Sequence, residues 1–271
     1  MATTAFEIHR AMEALVLGPA YDYFHRDLDD DDMEPLLVCS GVSVDAFNEY
    51  VGDGEDLPIG VRFLQLEDDG RLLMVDSATS VHEATKCQFD RVFRRAAGNE
   101  DEINGCGSVT VHRGSKIPVK EADATFGPYE DTPHRSPRPS NVTDWITLAV
   151  EVGHWQSWAS LRVAALWWHG LPGIKYELLL KIRAQAQSLE YELYDVDRHP
   201  MGPRGGLPPP VATGHIDANP NGSPAPENVV FEARQILSIP HGLPLPLGVN
   251  DRIIVDLRDV MSMVIRSIGR S

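Results

Sequence analysis

Residues 144–153, Asp-Trp-Ile-Thr-Leu-Ala-Val-Glu-Val-Gly, constrain the chain more than any other segment. The run is β-prone and almost wholly apolar. A strand with no polar alternation needs cover on both faces, which places it inside a sheet flanked by helices. Its neighbours supply that cover. Residues 156–170 read as a helix closed by Gly170, and 174–182 and 189–197 as two further strands. Upstream, 61–77 reads as a hairpin turning at Asp69-Gly70. Residues 80–98 read as a helix with Ser80 as N-cap, Glu83 completing a capping box and Gly98 at its end. Residues 108–114 and 122–128 read as strands, with a Pro-bearing loop over 131–141. The fold expected is α/β (α+β): a mixed central sheet flanked by helices.

Four segments follow. Residues 1–41 hold an N-terminal helix (1–26) and an acidic loop (27–35). Residues 42–197 form the core, opened by a short helix at 42–52. Residues 198–228 are a Pro/Gly-rich linker or loop. Residues 229–271 form a C-terminal strand/helix extension, either an accessory subdomain or an oligomer-forming arm.

The net charge is -16, from 24 Lys+Arg against 40 Asp+Glu. Phosphate-gripping proteins usually carry a basic footprint, so tight non-specific nucleic-acid binding is disfavoured. Asp27, Asp29, Asp30, Asp31, Asp32 and Glu34 form one acidic run, a solvated loop or a contact for a basic partner. Cys39, Cys87 and Cys106 are scattered, without the spacing of a zinc site. They suit a reducing, intracellular compartment, cytoplasmic or nuclear. No apolar run approaches the length of a membrane span, and the N-terminus lacks the marks of a signal peptide.

Glu151 interrupts the apolar strand, and a buried carboxylate is costly unless it is paired or bound to metal. Asp123, on the short strand before it, is the natural partner. Two carboxylates at neighbouring strand ends can hold Mg²⁺ or Mn²⁺ and leave room for water and phosphate. The other reading is that Glu151 sits at the strand edge and meets solvent.

Three stretches carry a resemblance: Glu-Ala-Asp-Ala-Thr-Phe-Gly-Pro (121–128), Leu-Ala-Val-Glu-Val-Gly…Gln-Ser…Trp-Trp (148–168) and the strand at 174–182. The pattern, with the acidic hairpin and helix upstream, resembles the Uma-type restriction-endonuclease family and related fungal proteins of the PD-(D/E)XK class over residues 42–183. The resemblance implies a restriction-endonuclease-like core and metal-dependent phosphodiester hydrolysis on nucleic acid. Asp123 and Glu151 would bind the metal, Glu83 would be an accessory acid, and Gln156 would assist. The pattern also breaks. The lysine expected two residues after the second acid is Gly153, and the proline before Asp123 is Ala122. Where relatives carry lysine on the next helix, this chain has Arg162, Ala164 and Ala165. Lys175 is the candidate replacement. Two functions stay open: a metal-dependent nuclease, or a non-catalytic descendant acting as an interaction or homo-oligomer module.

Other residues carry less. No Gly-x-Ser-x-Gly elbow surrounds Ser157 or Ser160, so His154 beside them does not make a hydrolase. Trp155 and Trp158 suit a packed corner, and Trp167 and Trp168 a buried helix end. Gly-Pro-Arg-Gly-Gly (202–206) lacks the context of a phosphate loop.

Overall fold

The structure is a computed structural model. It describes residues 3–16, 19–24, 33–52, 54, 57–140, 145–201, 205–218 and 225–269.

The N-terminal part holds α1 (Ala5–Val16), α2 (Pro19–Phe24), β1 (Leu36–Cys39) and α3 (Val44–Val51), then the hairpin of β2 (Leu64–Leu66) and β3 (Leu72–Met74). These strands form a three-stranded sheet in the order β1-β3-β2. Gly70 makes the hairpin turn at φ 82°, a conformation glycine takes without a Cβ penalty. Ile8, Met12, Phe24, Phe47, Leu72 and Met74 bury together here, and Trp155 of the core joins them.

Next come α4 (Ser80–Ala97), β4 (Asn104–Gly107), β5 (Thr110–Val111), β6 (Lys120–Glu121), β7 (Ala124–Gly127), β8 (Leu148–Gly153), α5 (Trp158–His169), β9 (Tyr176–Ile182), β10 (Ser188–Asp195) and β11 (Ala212–Asp217). The main sheet has six strands in the order β11-β10-β9-β8-β7-β4. Only β8 and β9 run parallel, with α5 connecting them; the other neighbours are antiparallel. The tail adds β12 (Asn228–Glu232), α6 (Ala233–Ile236), β13 (Arg252–Asp256) and α7 (Leu257–Ile268).

The expected mixed sheet between helices is therefore present, and β8 is buried along its whole length. Leu148, Val150 and Val152 pack with Phe89 and Phe93 of α4. Ala149 packs on the other face with Trp168 of α5.

Several local expectations change. The N-cap of α4 is Thr79, whose side chain accepts from the His82 amide; Ser80 is already helical. The strand expected at 108–114 shrinks to the two residues of β5, and β4 precedes it. The Pro/Gly-rich stretch contributes β11, the edge of the main sheet: Ile216 is buried while Thr213, His215 and Asp217 face out. The single N-terminal helix is two, and Asp27–Asp32 lie outside the described residues.

The tail shares the main core. Phe231 sits edge-on to Phe93 and Tyr176, at 5.4 and 5.2 Å between ring centroids. Thr147, just before β8, donates its hydroxyl to the Ile236 carbonyl at 2.7 Å. Phe231→Ala should cost about 3–5 kcal/mol, the usual range for emptying a buried aromatic site. Urea unfolding checks this, and a loss below about 1 kcal/mol would mean that the tail does not hold the core.

Candidate functional site

Asp123 stands where β7 leaves its pairing with β8. Its amide still donates to the Val150 carbonyl at 3.1 Å. Its carboxylate Oδ2 then takes the next strand amide, Val152 N, at 2.7 Å. The side chain thus caps the ladder, with its other oxygen turned toward α4.

That oxygen meets two cations. Arg62 Nε lies 3.2 Å from Asp123 Oδ1, and His82 Nε2 lies 3.1 Å from it. Both contacts are close but misaligned for hydrogen bonding. Arg62 precedes β2 and also reaches Glu121 Oε1 at 2.9 Å and Glu83 Oε1 at 3.1 Å. Its charge stands 4.6 Å from the centroid of the Phe63 ring. His82 and Glu83 lie in the first turn of α4, with His82 Nδ1 at 3.2 Å from Glu83 Oε1. Lys86, one turn on, stands 3.7 Å from Glu83 Oε2.

Glu151 has a different set of partners. Trp168 Nε1, from α5, donates to its Oε1 at 2.5 Å, and Lys120 Nζ lies 3.7 Å from the same oxygen. Asp123 and Glu151 share one end of adjacent strands and feel each other's charge. Each has partners of its own: Asp123 takes Arg62 and His82, and Glu151 takes Trp168 and Lys120.

The electrostatics follow. Burial lowers His82's affinity for its proton, but the charge of Asp123 outweighs this and lifts the imidazole to about 10. The ring is a cation at neutral pH. Burial alone would raise Asp123; the charge of His82 overrides it and holds the carboxyl below its ordinary value. The hydrogen bond from His82 pulls Glu83 down to about 2. Glu151 goes upward, to about 7, because burial outweighs the help of Lys120. Burial also raises Asp76, whose carboxylate accepts from the amides of His154 at 2.7 Å and Ser77 at 2.8 Å.

Of the residues expected from sequence, Asp123 and Glu83 come together through Arg62 and His82. Glu151 joins their neighbourhood with its own partners. Gln156 turns away: its Nε2 donates to Ser160 Oγ at 2.9 Å, which donates on to Gln65 at 2.6 Å. Lys175 cannot stand in for the missing lysine. It pairs with Asp197 at 3.0 Å, beside Thr147, at the far end of the β8–β9 pair. Arg162 pairs with Glu192 on α5's outer side. Ser157 caps α5, and His154 meets the Thr79 hydroxyl at 3.0 Å.

Arg62, His82, Lys120 and Glu121 escaped the sequence reading. The Glu121-x-Asp123 spacing was the available signal, since β6 runs directly into the capping acid. Lys181 also escaped. It pairs in register with Gly153, is 2% exposed, and donates to the Gln156 carbonyl at 2.7 Å. A Cβ on Gly153 would lie 3.0 Å from Leu161 and 3.3 Å from Gln156, closer than ordinary contact. A longer side chain at that position would require Leu161 and Gln156 to shift.

Among the described residues, no three His, Cys, Asp or Glu side chains gather as a metal-ligand group. Mg²⁺ can manage with two carboxylates, so that alone does not decide. The charges do. Glu83, Glu121, Asp123 and Glu151 already face Arg62, His82, Lys86 and Lys120. As arranged, these residues do not fit a hydrated divalent cation.

No family model matches the chain, and no curated protein does. A crystal structure from Anabaena variabilis, described as a candidate nuclease belonging to DUF820, aligns with a TM-score of 0.43 and 14% identity. The alignment covers 82% of this chain and 98% of that one. At that score it adds nothing to the strand order and site described above. No helix among the described residues is long and apolar enough to cross a membrane.

Two outcomes follow. Arg62→Ala leaves buried Glu121 without its cation and Asp123 with His82 alone, and should cost about 3–5 kcal/mol by chemical denaturation; a loss under about 1 kcal/mol would mean that the cluster is loosely solvated. The second concerns pH. A folded-state value above the unfolded one means that the native chain holds the proton more tightly. The contribution of Glu151 is therefore fully present below its ordinary 4.5 and lost as pH rises through about 7. Relative to wild type, Glu151→Gln should gain stability between about pH 5 and 8; an unchanged difference across that range contradicts the assignment.

Proposed function

We propose that this chain is a nuclease-like protein whose acid centre is filled by its own cations, and that it works by binding rather than by hydrolysis. The carrying observation is Arg62, which spans Glu83, Glu121 and Asp123 while His82 supplies a second charge to Asp123. A divalent cation would have to displace Arg62 and His82 from the Asp123 oxygen that both already approach. The sequence pattern supports the nuclease-like part of this reading. The net charge of -16 favours a basic partner over a phosphate backbone.

A second reading keeps hydrolysis. It is favoured by Lys181, which brings an ammonium group to the strand position beside Gly153. One experiment separates the two. The purified chain is incubated with Mn²⁺ and single- and double-stranded DNA and RNA, beside Asp123→Ala and Glu151→Ala. The binding reading expects no cleavage above background in any arm, and no retention of duplex at about 150 mM salt, where phosphate contacts are well screened. Mn²⁺-dependent cleavage lost in both variants would replace it with the hydrolytic one.

A further inference from the structure

Lys175 has no part in the acid cluster, yet it lines a cleft of its own. The cleft lies at the other end of the β8–β9 pair, about 20 Å along the strand from Lys181. It has a volume near 370 Å³, within the range of small-ligand sites. Its walls come from the start of β9, the turn after β10, α6 with the segment that leaves it, and Ser136 of the long loop before β8. Core and tail meet here: the Ser136 amide donates to the Ser238 carbonyl at 2.8 Å.

The lining inverts the character of the chain. Lys175, Arg198 and Arg234 face it, with His241 beside them. The two acids of the wall are engaged. Asp197 takes Lys175 at 3.0 Å and Gln235 Nε2 at 3.1 Å, and Glu232 stands 3.7 Å from Arg252. Donors are left over. Arg198 uses Nε on Asp195 at 3.2 Å, with its side chain 68% exposed. Arg234 uses Nη1 on the Pro240 and Leu243 carbonyls. The hydroxyls of Ser136 and Ser238 and the ring of His241 have no hydrogen-bond partner among the described residues.

We infer that this cleft binds a small phosphate monoester. The donors approach from four chain segments. A tetrahedral group with three terminal oxygens can accept from that many directions, where a planar carboxylate takes a paired fork. Ile239 and Pro240 give the same cleft an apolar wall for the organic part of the ligand. The inference stands apart from the reading of the acid cluster, because none of these residues belongs to it.

The test uses the full chain with inorganic phosphate and phenyl phosphate as probes, and acetate at equal ionic strength as control. Calorimetric titration and thermal unfolding are the readouts. Saturable phosphate binding is expected, tighter for phenyl phosphate, with the unfolding midpoint rising about 2–3 °C at ten times Kd. Acetate should do neither. Arg198→Gln and Ser136→Ala should each weaken binding by tenfold or more, and Ser136→Ala, which keeps the backbone bond to Ser238, should leave the ligand-free midpoint in place. No saturable phosphate signal, an equal effect of acetate, or binding unchanged in both variants would overturn the inference.

Discussion

One buried cation organises the end of the main sheet. Arg62 arrives from the N-terminal hairpin and meets carboxylates from α4, from β6 and from the residue before β7. Two of those acids, Glu121 and Asp123, would be costly alone in the interior. Together with Arg62 the acids tie these chain segments to one point. His82 reinforces the same point from the first turn of α4, where Thr79 fixes the helix start. The arrangement is charged but closed, since Asp123 and His82 are 2% and 0% exposed. Its contact with solvent is through Glu83, the outermost acid, whose side chain is 39% exposed.

This closure sets the relation between fold and chemistry. Paired acids on neighbouring strands suggest a metal, and they do lie at one sheet end. What they lack is free carboxylates, since each is already taken by partners within the protein. Asp123 spends one oxygen on the ladder and the other on internal cations, and Glu151 is held by an indole from the opposite layer. A carboxylate satisfied in this way contributes to the architecture. To serve a metal it would first have to release those partners.

The sequence made the long elements readable because their signals are local. The apolar run of β8, broken only by Glu151, the Asp-Gly turn of the hairpin and the glycine after α4 each act within a few residues. β4 and β11 were not legible. Asn104-Gly-Cys-Gly107 and the stretch around Gly214 have little β-propensity and become strands only because a neighbouring edge pairs with them. The site was half legible for a similar reason. Asp123, Glu83 and Glu151 stand out as acids in the wrong places, but their partners come from elsewhere in the chain. Gly153 opposite Lys181 is a fact of strand register, and no count of residues along one strand reveals it. Lys175 was the natural candidate by proximity in sequence, and register carries it to the far end.

The central claim is that protein cations, and not a metal, neutralise Asp123. A crystal soaked in Mn²⁺ and measured at the manganese absorption edge tests it directly. The account expects no anomalous peak beside Asp123 and Glu151, with the Arg62 and His82 side chains still on the aspartate. A peak within about 2.2 Å of both carboxylates, with either cation displaced, would contradict it.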